Sequence, residues 1–209
     1  RSSLRQDLFR RDFSINAMAV CLNPECFGQL ADPFGGLRDL ERGVLRTLHS
    51  LSFVEDPTRV LRAARFAQRF GFVIDPPSEA LLRQAVDMEM LDEVSGARVR
   101  EELLDIIDEP DAALILERLA GYGALDPLVA EGAHPARVIA DVAAADRAYA
   151  SLAPDFARPP RRRTTLVSAM AASAGRAAAD RWCRWLRFGR EYAEPAVLTA
   201  GWKAGLSGT

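Results

Sequence analysis

Apolar and polar positions change rhythm along this chain near Glu55. Before it, short contiguous apolar runs alternate with turn signals; after it, apolar residues recur at helical spacing. Residues 5–13 read as the approach to a helix, with Ser14-Ile15-Asn16-Ala17 inside or beside it. Residues 18–22 and 44–48 read as short strands. Between them, Asp32-Pro33-Phe34-Gly35-Gly36 signals a turn and residues 37–41 a short charged helix. Asp56 followed by Pro57 is a helix start with Pro at its first position, and that helix is expected to run to Phe70 and stop at Gly71. Further helices are expected over residues 78–87, 97–108, 111–122 and 135–152, broken by Asp75-Pro76-Pro77 and Glu109-Pro110. Arg158-Pro159-Pro160-Arg161 marks a loop, after which helices resume over 164–178, 181–188 and 195–204. The fold class is α+β: a small mixed α/β piece followed by a mainly α-helical remainder.

Composition narrows the class without naming the chemistry. With 209 residues, 49% of them apolar and 27% charged, the chain can bury a real core. No apolar run reaches the roughly 18 residues that a membrane-spanning helix needs. The start, Arg1-Ser2-Ser3-Leu4-Arg5-Gln6-Asp7, has neither a Met nor the apolar stretch of a signal peptide, which fits a piece cut from a longer protein. The three cysteines, Cys21, Cys26 and Cys183, form no CxxC pair, which argues against a disulfide or zinc framework and for a reducing cytoplasm. His49 and His134 stand far apart, so no Cys/His metal cluster and no Ser-His-Asp set can be assembled from neighbours. The net charge is −2 and the positive charge is almost all Arg, Lys203 being the single lysine. Arg suits phosphates and base edges, and it follows equally from genome composition; only its placement decides.

The placement is most informative in the helix over 57–70. At 100° per residue Arg59, Arg62, Arg65 and Arg69 share one face, and Val60, Ala63, Ala64, Ala67 and Phe70 fall on the other. The stripe fits a solvated face with snorkelling arginines or a ligand-facing surface. Asp56 and Arg59, three apart at the helix start, can project together as an acceptor beside a donor. Cytosine and adenine present the matching edge, an exocyclic amino group next to a ring nitrogen. Uracil and guanine place a carbonyl there and would leave buried polar groups unpaired. Alternatively, Asp56 only caps the helix and Arg59 only balances its charge.

Three stretches bear on that choice. Arg10-Arg11-Asp12-Phe13-Ser14-Ile15-Asn16-Ala17 resembles the RRDFTxNA motif of the bacterial (class II) tRNA nucleotidyltransferase and poly(A) polymerase family. Asp32-Pro33-Phe34-Gly35-Gly36 with Asp39-Leu40 is similar to its DxxGG…DL motif. The stretch from Glu55-Asp56-Pro57-Thr58-Arg59 to Arg65-Phe66 is similar to its EDxxRxLRAxRF motif. All three stand in the family's order, and Ser95-Gly96-Ala97-Arg98 to Leu103 resembles a fourth, weaker one. The resemblance covers residues 4–130. Residues around His49-Ser50-Leu51-Ser52-Phe53 and Gln68-Arg69-Phe70-Gly71-Phe72 look like the long form of the family, in which DHH-type and CBS domains precede the polymerase head.

The resemblance implies a division into the last part of a nucleotidyltransferase head (1–53), a helical neck that reads the base and binds RNA (54–131) and a helical body (132–209). It implies template-independent addition of C and/or A from CTP or ATP to the tRNA 3′ end in the cytoplasm. Arg11 and Asp12 would contact the incoming nucleotide, Asp12 near the sugar, with Asn16 supporting that pocket. Asp56 and Arg59 would read the base, and Arg62 and Arg65 would hold the triphosphate or the base-reading pair. Arg98 would order the helices that follow and contribute to RNA contact. Asp32 and Gly35-Gly36 would link head to neck.

The departure from the family pattern is large. The phosphate loop and the DxD carboxylate pair that hold two Mg²⁺ ions stand upstream of RRDF in the family, and neither occurs here. This chain alone is therefore expected to transfer no nucleotide and to supply no metal ligand. Poly(A) synthesis on the same fold, and a helical RNA-binding module without catalysis, remain open beside tRNA end addition. Arg161 and Arg162, in the run Arg158 to Arg163, fit contact with RNA phosphates or a solvated linker. Trp182 and Trp185 among Arg181, Arg184 and Arg187 fit a stacking surface or core with flanking charge.

Overall fold

Ser3 opens the first helix with a reciprocal cap. Its hydroxyl accepts from the Gln6 N–H (3.3 Å), and the Gln6 side-chain oxygen accepts from the Ser3 N–H (2.9 Å). This computed structural model describes residues 3–206. The first two residues and the last three of the expected body lie outside the described residues. The chain divides into two compact units after Met90.

In the first unit, α1 (Leu4–Phe9) leads through a single 3-10 turn at Ser14–Asn16 to β1 (Ala19–Val20), which pairs antiparallel with β2 (Leu30–Ala31). Helix α2 (Gly36–Arg42) connects to β3 (Val44–Leu45). Then α3 (Ser52–Glu55) and α4 (Thr58–Phe70) cross over to β4 (Val73–Ile74), which lies parallel to β3 with Val44 opposite Val73. Helix α5 (Pro76–Asp87) closes the unit, and Asp75 caps it by accepting from the Ser78 N–H. Leu8, Phe13, Leu45, Phe53, Leu61 and Leu82 are fully buried and form its core.

The second unit is helical: α6 (Gly96–Asp108), α7 (Ala112–Tyr122), α8 (Pro135–Leu152), α9 (Arg162–Ala171), α10 (Arg176–Trp185) and α11 (Arg190–Leu206). Its core includes Leu103, Ile106, Ile115, Leu116, Leu119, Leu166 and Met170. Gly96 is needed for packing, because a Cβ there would overlap the backbone carbonyl of Trp185. No described helix is long and apolar enough to cross a membrane.

The α+β class and the order of helices agree with the sequence reading, and four details differ. The strands shrink to two residues each, and β2 and β4, which pair with β1 and β3, stand where no strand was expected. The helices expected over 164–178 and 181–188 are α9 and α10, but the break between them lies earlier, at 172–175, with i→i−3 bonds at Ala172 and Ala174 and extended backbone at Gly175. High alanine content masks such a break, since Ala favours helix whichever way the chain turns. Phe70, expected in the core, is 47% exposed. It ends α4, where the chain turns at left-handed Gly71 (φ 66°), and its ring stacks on Phe66 and Phe72 instead. Finally, Cys21 and Cys26 are joined by a disulfide, against the expectation of free thiols. Bonds from the Cys21 N–H to the Gln29 carbonyl and from the Gly28 N–H to the Cys21 carbonyl fold the β1–β2 loop back. That brings the two Cα atoms to 5.7 Å, within disulfide range, which linear spacing does not reveal.

Candidate nucleotide-binding site

The arginine stripe on α4 is not a solvated face. Arg59 and Arg65 are buried, at 7% and 8% exposure, Arg62 is half-buried, and only Arg69 lies in the open. Burying a guanidinium is costly unless its donors are met, so their partners define the site. The Arg59 Nη1 donates to the Ser52 hydroxyl (2.7 Å) and the Ser52 carbonyl (3.2 Å), and its Nη2 donates to the Arg10 carbonyl (2.7 Å). Arg59 thus ties the start of α4 to α3 and to the segment after α1.

Asp12 is 7% exposed and accepts four hydrogen bonds. One oxygen takes the Phe13 N–H (2.8 Å) and the Asn16 side-chain amide (3.0 Å). The other takes Nε and Nη2 of Arg62 (2.8 and 2.5 Å). A carboxylate offers about four lone-pair sites, so a ribose hydroxyl would reach Asp12 only by displacing a partner. Asn16 meets Asp12 as an organising contact. Arg11 is exposed one residue away.

Asp56 stands at the joint between α3 and α4, half-buried. Its Oδ1 accepts from the Thr58 N–H (3.2 Å) and the Thr58 hydroxyl (2.7 Å). The sequence suggested Asp56 as the cap with Pro57 first in the helix; instead Pro57 takes the cap position and Thr58 is the first helical residue, so Asp56 holds the helix start from one residue further out, and that bond fixes the plane of its carboxylate. Phe66 lies beneath the cluster. The guanidiniums of Arg62 and Arg65 sit 5.3 and 5.0 Å from its ring centroid, and Phe13 meets it edge-on.

A second network supports the first motif from below. The Ser14 hydroxyl donates to Asp39 (2.5 Å), Arg46 pairs with the same carboxylate oxygen (2.5 Å) and also donates to the Phe34 carbonyl (2.7 Å). A Cβ on Gly36 would overlap the Ser14 carbonyl, so glycine lets α2 press against the 3-10 turn. Asp32 accepts from the Gly36 and Leu37 N–H groups (2.7 and 3.0 Å) at the start of α2. Burial pushes its carboxyl up, but backbone N–H groups of Leu37, Gly36, Gly35 and Phe34 together outweigh burial and hold it below the usual carboxylate range.

In the second unit the candidate RNA-contact residues divide. Arg98 is exposed on the first turn of α6. Arg161 is 76% exposed and pairs with Glu191 (2.9 Å). Arg162 is turned inward: it grips Asp146 with Nε and Nη2 (2.7 and 3.0 Å) and donates to the carbonyls of Ile107 (2.5 Å) and Glu109 (3.1 Å). The hydrogen bond to Asp146 raises its pKa above the ordinary guanidinium value, against the opposing effect of burial. Trp182 is core, 4% exposed, with its indole N–H on the Leu128 carbonyl (2.9 Å), whereas Trp185 is 39% exposed.

Sequence reasoning missed Ser52, Thr58, Ser14 and Arg46. Ser52 stands four residues before Asp56 and seven before Arg59, a helical spacing that offered a signal. Arg46 offered none, because its partners come from a different segment.

Residues 1–46 match the family model described as poly A polymerase head domain, and residues 71–134 match the one described as probable RNA and SrmB-binding site of polymerase A. An A-adding tRNA nucleotidyltransferase of Geobacter sulfurreducens is 52% identical over 125 residues, which are 60% of this chain and 14% of that protein. One of Aquifex aeolicus is 46% identical over 128 residues, 61% of this chain and 16% of that protein. The solved Thermotoga maritima CCA-adding enzyme in complex with tRNA aligns over 93% of this chain and 47% of its own, with TM-score 0.81 and 36% identity. The chain thus spans less than a fifth of these two curated relatives and about half of the solved enzyme.

Proposed function

Because the chain belongs to the class II tRNA nucleotidyltransferase and poly(A) polymerase family, we propose that it selects the incoming nucleotide and contacts tRNA in template-independent addition of C and/or A to the tRNA 3′ end. The observation that carries this reading is the pinned pair at the α3–α4 joint. Arg59 is held on two prongs by Ser52 and Arg10, and Asp56 is oriented by Thr58 two residues on. A rigid acceptor beside a rigid donor discriminates because it cannot swing to suit the wrong base. ATP and CTP are the substrates in this reading, the tRNA 3′ end the acceptor, and the cytoplasm the setting. Arg11 and Asn16 border the nucleotide pocket, and Arg65 with Arg62 supports the reading pair through Phe66. Arg98 and Arg161 are the outward RNA-contact candidates, and Arg162 serves them indirectly by holding α9 in place.

The transfer step itself is not assigned to these residues. Among the described residues no group of three or more His, Cys, Asp or Glu could hold a metal ion. The two magnesium ions of the family do not fit these residues. This chain alone is proposed to be inactive in transfer.

The test is Arg59→Ala in the full-length protein that carries this chain, with incorporation of CTP, ATP and UTP into tRNA measured separately. Preference for CTP and ATP over UTP is expected to collapse. Unchanged preference would sink the reading.

A further inference from the structure

Resting on that reading, we propose that Ser52 is a positioning residue for base selection: one buried serine anchors both members of the Asp56–Arg59 pair. Ser52 is fully buried at the first position of α3. Its hydroxyl accepts from Arg59 Nη1 at 2.7 Å. Its carbonyl accepts twice, from the same Nη1 at 3.2 Å and from the Asp56 N–H at 3.3 Å. The backbone of the acceptor residue and the side chain of the donor residue are thereby referenced to a single point. Phe53, next in the chain, is also fully buried, so that point sits on the core of the unit and cannot drift with the surface.

The consequence is geometric. An arginine side chain that is free in the pocket must be ordered when the nucleotide arrives, at an entropic cost. With Ser52 on one prong and the Arg10 carbonyl on the other, the guanidinium plane is set beforehand. Removing the hydroxyl leaves Nη1 with only the longer carbonyl contact. The plane can then tilt, and a base with the wrong edge meets a softer donor. The phosphates are not held through Arg59 in this reading, so loss of Ser52 acts on which base is accepted rather than on nucleotide use in general.

Ser52→Ala and Ser52→Thr, made in the full-length protein that carries this chain, test this. The readout is kcat/KM for CTP, ATP, UTP and GTP, with thermal melting as a check on folding. Ser52→Ala is expected to lower the preference for CTP and ATP over UTP and GTP by about tenfold, the size of one hydrogen bond to a charged group. The loss is expected to lie in KM. Ser52→Thr keeps the hydroxyl and is expected to retain the preference. Should its extra methyl lower the melting temperature, near-isosteric Ser52→Cys replaces it, and its weak sulfur acceptor is expected to give an intermediate preference. Wild-type preference in Ser52→Ala overturns the proposal, and so does an equal loss for all four nucleotides, the mark of a merely structural serine. A wild-type protein without preference would instead overturn the base-reading assignment on which the proposal stands.

Discussion

Arg62 reaches back fifty residues and places both Nε and Nη2 on one oxygen of Asp12. With the Arg59 bond to the Arg10 carbonyl, this contact joins the first motif to the helix that carries the third. Asp12 is buried while Arg62 is about a third exposed. Removing the arginine strands a carboxylate away from water, whereas removing the carboxylate leaves a guanidinium that water can still reach. Arg62→Ala is therefore expected to destabilise the protein by about 2 kcal/mol. Urea unfolding of Arg62→Ala, Asp12→Asn and the double variant checks it. A coupling energy below about 0.5 kcal/mol would show that the pair is not the link.

Arg161 and Arg162 are adjacent and are expected to behave oppositely. Arg162→Ala removes bonds to Asp146, Ile107 and Glu109 and is expected to cost about 2 kcal/mol of stability. Arg161→Ala breaks one exposed pair with Glu191 and is expected to shift stability by less than about 0.5 kcal/mol. If Arg161 meets a tRNA phosphate, its loss lowers the salt slope of tRNA binding by about one. Thermal melts and salt-dependent filter binding on both variants separate the two roles.

Asp32 gives the fold an acid-sensitive cap. Its folded pKa lies below its unfolded value, so its contribution is fully present above the ordinary carboxylate range and is lost as pH falls through the folded value. Asp32→Ala is expected to cost about 1 kcal/mol at neutral pH, a typical cap. The difference from wild type is expected to vanish once the pH lies below the carboxylate range. A difference that is constant with pH would mean that the cap does not act through its charge.

The cysteines are expected to titrate in two steps. Without reductant no thiol should react with a thiol reagent in the native protein, because Cys21 and Cys26 are paired and Cys183 is buried. Burial pushes the Cys183 thiol up to about 11, with Asp180 adding to it, so little thiolate exists at neutral pH. Mild reduction should expose two reactive thiols, and denaturation the third. Three fast thiols in the unreduced native protein would contradict the pairing.

How much of this was legible in the sequence differs between elements. Helix α4 was placed to within a residue at each end, because Pro57 and Gly71 act locally on backbone dihedrals. That Asp56 and Arg59 both stand at the start of this helix was legible for the same reason. The position of the break between α9 and α10 was not legible, since every residue around it except Gly175 tolerates helix.

The sequence by itself determined the helical rhythm, the turn residues and the motifs of the family. Each depends on neighbours a few positions away. Only the tertiary structure decided that the arginine stripe points inward, that Asp12 is saturated by Arg62 and Asn16, that Arg162 is a strut rather than an exposed contact, and that Ser52 stands under Arg59. Those outcomes depend on which distant backbone carbonyls and carboxylates a guanidinium meets once the core has closed. A long side chain with five donors has too many possible partners for linear spacing to choose among them.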